Sequence, residues 1–363
     1  GGTGATANYI VDGVDPTITT VSFSDSAMIT GDTPTLTIVF SEAVLAFASG
    51  DDVTCGTGSL AAMSSSDEIT WTGTFTPTAN TDDATNTCAV ANSYTDAYGN
   101  GVGEAQSTAN YVVETLAPTI SSITNSDTAL KTGDTSTLTI VFNEAVAAFD
   151  KTDVTCPAGT LGTLSSGDSI TWTGTFTPTA DTEDAVNTCD IAASYTDTAG
   201  NTGPTGSSAN YVVETLAPSA SSFTMSDIAL KAGDTATLTI VFSETVAGFA
   251  SADDVSCPTG SLGVMAITSG STWAGTFTPT DDTDDSSNVC TLGTVYTDTA
   301  GNSGAGTTTA NYDVDTLDPA VSSITLADTD IISGDTPLLT LVFSSAVSGF
   351  ASGDDVTCPA GSL

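Results

Sequence analysis

The chain has 363 residues, room for two or three domains of ordinary size, and carries 44 Asp+Glu against 3 Lys+Arg with no His, a formal charge of −41. That balance repels nucleic acid and anionic membrane surfaces, and it withholds the imidazole that would activate a Ser or Cys nucleophile, so neither nucleic-acid binding nor triad catalysis is expected. Charged residues make up only 13% and hydrophobic ones 39%, enough apolar side chain for folded cores, while no run of about 18 apolar residues predicts direct membrane insertion of this segment.

Near-identical words recur along the chain, with Trp71, Trp172 and Trp273 at equal spacing and Tyr9, Tyr111, Tyr211 and Tyr312 beside matching residues. The repeat overrides any domain count from length. In chain order, residues 1–14 read as the closing strand of a preceding repeat, with Ala7–Asp12 as the strand itself. Residues 15–115, 116–215 and 216–316 read as complete copies, and 317–363 as the first half of a further one.

Within the copy 116–215, short β patterns alternate with Gly, Pro, Asp and Asn, and no apolar period of 3.6 residues appears. The turn Gly133-Asp134-Thr135 precedes a strand with Leu138, Ile140 and Phe142 on one face. Val154 and Cys156 follow, and then Ile170 to Pro178, where Trp172 and Phe176 share the inward parity and Thr171, Thr173, Thr175 and Thr177 the outward one. Thr70, Thr72, Thr74 and Thr76 form the same row in the preceding copy; it resembles the threonine arrays that bind ice, and reads more commonly as β propensity on a wet face or a set of O-glycosylation acceptors. The acidic pairs Asp82-Asp83, Glu183-Asp184, Asp281-Asp282 and Asp284-Asp285 read as solvated loop charge. The second cysteine then opens a segment in which Cys189, Ile191, Ala193 and Tyr195 alternate inward. The copy closes on Ala209–Glu214 and passes through Thr215-Leu216-Ala217-Pro218 into the next almost without a linker.

Seven cysteines fall into two series, Cys55, Cys156, Cys257 and Cys358 against Cys88, Cys189 and Cys290. With no His to complete a zinc site, each copy is expected to hold one disulfide, Cys55–Cys88, Cys156–Cys189 and Cys257–Cys290. Such pairing implies an oxidising compartment. Closing a loop of that length contributes about 3–4 kcal/mol in the chain-entropy model.

Six or seven short strands per copy of about 100 residues predict an all-β chain, a tandem array of immunoglobulin-like β-sandwich domains rather than closed barrels. The Gly133-Asp134-Thr135 turn, the run Val141-Phe142-Asn143-Glu144-Ala145-Val146, Phe176-Thr177-Pro178, Tyr195-Thr196-Asp197-Thr198-Ala199-Gly200-Asn201 and Ala209-Asn210-Tyr211 together resemble the bacterial immunoglobulin-like tandem repeats of large surface adhesins and biofilm-associated proteins. The resemblance covers essentially the whole chain and implies a stalk with adhesion located elsewhere; the cysteine pair departs from its usual pattern.

The expected function is a non-catalytic spacer of a long extracellular, cell-surface protein whose partners are the neighbouring repeats. The alternative is a subunit of a self-assembling filament, sheath or surface layer, associating laterally or end to end, and a lesser one is a carbohydrate- or protein-binding module, for which Tyr98 is the aromatic candidate. No cofactor is required. Acids nevertheless gather at the copy junctions: Asp12 and Asp15, Glu114, Glu214, then Asp313, Asp315 and Asp318. The Tyr-Thr-Asp-x-x-Gly-Asn turns add Asp96 and Asn100, Asp197 and Asn201, and Asp298 and Asn302. These oxygens suit calcium between domains, and Asp and Asn in those turns equally suit the turn itself.

Overall fold

A computed structural model describes residues 7–45, 47–101 and 105–359. The chain divides into two compact units, Gly1–Glu214 and Thr215–Leu363. The first contains two immunoglobulin-like sandwiches, and the second contains one sandwich followed by a pair of strands.

In the first sandwich one layer runs in the order Ile18–Phe23, Thr35–Phe40, Thr70–Pro77, Gly58–Leu60. Leu36, Ile38, Phe40 and Phe75 are buried on its inner side while Thr72, Thr74 and Thr76 stand exposed on the other, as period-2 alternation requires. The opposite layer holds the closing strand Tyr111–Glu114, paired in parallel with Ala27–Met28 and antiparallel with Asp82–Asn86. Beside it lie Val53–Cys55, Cys88–Val90 and Gln106–Ser107. The second and third sandwiches repeat this topology. The third adds a strand, Ala266–Ser269, against Thr272–Pro279, and leaves Ile267 exposed.

Aromatic side chains fill the cores. Phe40, Phe47, Tyr94 and Trp71 meet edge to face in the first copy, as do Phe142, Phe149 and Trp172 in the second and Phe242, Phe249 and Trp273 in the third. A further contact, Phe176 on Tyr211 at 5.2 Å, anchors the closing strand to the opposite sheet. Such pairs contribute about 0.5–1.5 kcal/mol beyond their buried area. Burial pushes the Tyr195 and Tyr211 hydroxyls up to about 12. Gly159 allows that aromatic packing: a Cβ there would sit 2.2 Å from Phe176 Cζ.

All three expected disulfides are present, and Cys358 is exposed and free. Each bond clips neighbouring strands of one layer; Cys55 lies directly opposite Cys88 in the ladder. It therefore does not join the two sheets as the antibody disulfide does.

Three expectations are corrected. The acidic pairs are not loop: Asp82–Asn86, Glu183–Asn187 and Asp284–Asn288 are strands paired with the closing strands, and only Asp281-Asp282 stays in a turn. They are the outermost strands of their sheets, where charge discourages pairing with another chain. Ala7–Asp12 forms no strand, and Tyr9 is 83% exposed, since no strand pairs with this segment among the described residues. Ala193 is exposed, since the strand Asp190–Ile191 ends before it and the alternation lapses.

The copies differ in their buried polar contacts, among them a serine–aspartate pair. Ser93 and Ser194 donate their hydroxyls to the buried carboxylates of Asp52 and Asp153. In the third copy Val295 occupies the corresponding place, and Asp254 Oδ1 is buried without a hydrogen-bond partner among the described residues. An unsatisfied buried acceptor costs about 1–3 kcal/mol. Val295→Ser is therefore expected to stabilise the third copy by about 1.5 kcal/mol and raise its calorimetric midpoint by several degrees, with Ser194→Val lowering that of the second. Equal midpoints for parent and variants would refute the assignment.

Candidate functional site

The junction acids gather around the Asp-x-x-x-Asn turn. In the first copy Asp96, 3% exposed, accepts from the backbone N–H groups of Tyr98 and Asn100 at 2.9 and 2.8 Å and from Asn100 Nδ2 at 2.8 Å. Burial opposes its charge, but the Asn100 amide and the surrounding N–H donors outweigh burial and hold the carboxyl below its ordinary range. Asp12 reaches the same place from the preceding segment and Glu42 from the loop after the strand Thr35–Phe40. Carboxylate oxygens of Asp12, Glu42 and Asp96 lie within 4.8 Å of one another. Partial burial, then the charges of Asp12 and Asp96, push the Glu42 carboxyl up.

Oxygens bound to one calcium ion at 2.3–2.6 Å lie at most about 5 Å apart, so the three carboxylates suit a single cation, which would neutralise the like charge and draw on each for one ligand.

At the next junction, within the same unit, an amide takes the central place. Asn201 Nδ2 donates to Asp197 Oδ2 at 2.9 Å, to Glu114 Oε2 at 2.8 Å and to the Glu114 carbonyl at 2.9 Å, while Asn201 Oδ1 accepts from Thr30 N at 3.0 Å. Thr30 Oγ1 also donates to the Thr115 carbonyl at 3.0 Å. One buried side chain thus ties the second copy to the end of the first. Burial first, then the charge of Asp197, with Glu144 adding, push the Glu114 carboxyl up against the donation it receives from Leu116 N.

Of the expected residues, the structure brings together Asp12 with Asp96, and Glu114 with Asp197 and Asn201. Asp298 and Asn302 close their own turn through Asn302 N at 2.9 Å and Asn302 Nδ2 at 2.7 Å. Glu214 and Asp315 end the strands Tyr211–Glu214 and Tyr312–Asp315. Asp15 and Asp318 are exposed and lie outside the strands. Tyr98 is 60% exposed. Glu42 and Glu144 were missed, although Glu42, Glu144 and Glu244 recur in equivalent words, a signal read above only as part of a β run.

A bacterial Ig-like domain model matches three times in succession, over residues 12–113, 114–213 and 214–314. The chain belongs to the bacterial Ig-like domain family. Each matched stretch of this Ig-like chain opens on a junction acid, Asp12, Glu114 or Glu214. Comparison with curated proteins gives no match. Among solved structures, invasin, a bacterial integrin-binding protein, is similar at 13% identity over 91% of this chain and 68% of that one, with a TM-score of 0.28. The S-layer protein rSbsC is similar at 11% identity over 86% and 56%, with a TM-score of 0.20, and a marsupial T cell receptor at 12% over 81% and 99%, with a TM-score of 0.28. These scores carry nothing about binding or assembly.

Because its carboxyl is raised from 4.5 in the folded chain, Glu114 favours folding at low pH, and that contribution is lost as pH rises through the folded value. Glu114→Gln keeps an acceptor for Asn201 and removes the charge facing Asp197. In EDTA it is expected to raise the thermal midpoint of the first unit at neutral pH and to flatten the fall in stability above pH 4.5. A pH profile parallel to that of the wild type would refute the assignment.

Proposed function

We propose that this segment is a non-catalytic spacer of a long extracellular cell-surface protein, and that its copies bear load in series. The observation that carries the reading is the repeated unit: three near-identical sandwiches, each with its own core and disulfide. Function by repetition suits a part whose property is length. An oxidising, extracellular setting is in keeping with three disulfides.

Single-molecule stretching tests it. Each complete copy is expected to unfold as a separate event, and because the disulfide withholds a 33-residue loop, reduction is expected to lengthen each step by roughly 110 Å. One concerted event for the whole chain would sink the spacer reading.

The same reading includes calcium at the junction, held by Asp12, Glu42 and Asp96 in place of the amide bridge that Asn201 makes between Glu114 and Asp197. Support comes from three carboxylates converging with no cationic side chain among them. Calcium at about a hundred times its Kd would stabilise the first unit by about 2.7 kcal/mol. It is expected to raise the unfolding midpoint of the wild type relative to sodium at matched ionic strength, and not that of Glu42→Gln combined with Asp96→Asn. An equal response in both proteins would remove calcium from this place.

A further inference from the structure

Charge is divided unequally between the two layers of every sandwich. The layer Ile18–Phe23, Thr35–Phe40, Thr70–Pro77 and Gly58–Leu60 contains no Asp, Glu, Lys or Arg. Neither do its counterparts in the second and third copies, nor the strand pair Val321–Leu326 and Leu339–Phe343. The strands of the opposite layer do carry acids, among them Asp82, Asp83, Glu114, Glu183 and Asp184. In a chain of formal charge −41, a neutral sheet face kept in every copy is not what a merely solvated surface requires.

The neutral face is a field of hydroxyls in register. Ser22, Thr37 and Thr72 lie side by side across the first sheet, and Thr124, Thr139 and Thr173 across the second. A hydroxyl both donates and accepts, so such a face can satisfy a second copy of itself, which a row of carboxylates cannot.

We propose that this threonine face is a lateral contact surface and that its partner is the same face of a second copy of this chain. The proposal goes beyond the spacer reading, which holds whether or not chains pair. Electrostatics favours this occupant. Layers of a sandwich lie about 10 Å apart, so two copies meeting on neutral faces keep the acids of their far layers about 30 Å from one another. That is several Debye lengths at physiological salt, whereas contact through the acidic layers would bring them to about one. Four strands of about six residues give a face of roughly 400 Å². This is about half the area per partner of a stable complex, so the contact is weak at each copy and depends on concentration.

Sedimentation equilibrium of the whole chain in EDTA, at up to roughly millimolar protein and about 0.5 M NaCl, tests it. The wild type is expected to associate reversibly, more strongly as salt rises. Thr72→Glu, Thr173→Glu and Thr239→Glu combined place one acid on each complete copy's face and are expected to weaken association at least tenfold, because like charges meet across the contact. Ser at the same three positions keeps the hydroxyls and is expected to associate within about twofold of the wild type, with thermal melts confirming that all three proteins fold. A wild type that stays monomeric, including one that binds a neutral polysaccharide instead, overturns the proposal, as does a Glu variant that associates like the wild type.

Discussion

With 3 cations for 44 acids, the chain cannot satisfy its carboxylates by ion pairing, and most of its local architecture follows from how it satisfies them otherwise. Backbone N–H groups take the place of cations. Asp32, Asp134, Asp234 and Asp335 each accept from a residue three positions earlier and fasten the same turn. Asp67 and Asp168 each collect two N–H donors ahead of the Trp strand, and donation from Thr70 and Ile69, and from Thr171 and Ile170, holds both carboxyls low. A buried or turn-locked carboxylate here is stabilised by dipoles the fold supplies, which removes the need for a partner elsewhere in the chain.

The junctions are where that supply runs short. Asp96 and Asp197 exhaust the donors of their own turns, so an acid arriving from the preceding copy meets negative charge. The two junctions of the first unit meet the problem differently: Asn201 swings its amide between Glu114 and Asp197, whereas Asp12, Glu42 and Asp96 face one another with the Asn100 amide directed at Asp96. Elsewhere the acids sit in turns, in short helices and on strands of the opposite layer, which leaves one sheet of each sandwich neutral.

Much of the fold was legible because it rests on local periodicity. Alternation placed Phe142 and Phe176 inside and the threonines outside, and the equal cysteine spacing gave the disulfides. Two of the failures share a cause: each depended on a partner distant in sequence. Asp82–Asn86 looks like a loop because its strand character comes from the ladder with Tyr111–Glu114. Ala7–Asp12 looks like a strand because its equivalents are strands, but a strand exists only beside another. The site was half legible: the turn acids stood out by their spacing, while Glu42 and Glu144 were hidden inside words already explained as β structure.

The disulfides have a consequence for durability. Each bond encloses the whole Trp strand and the acidic outer strand between its two cysteines, so a protease that cuts anywhere from Gly56 to Thr87 leaves both fragments covalently attached to the same core. A nicked copy stays in one piece, and the array keeps its continuity through damage that would sever an unbridged sandwich.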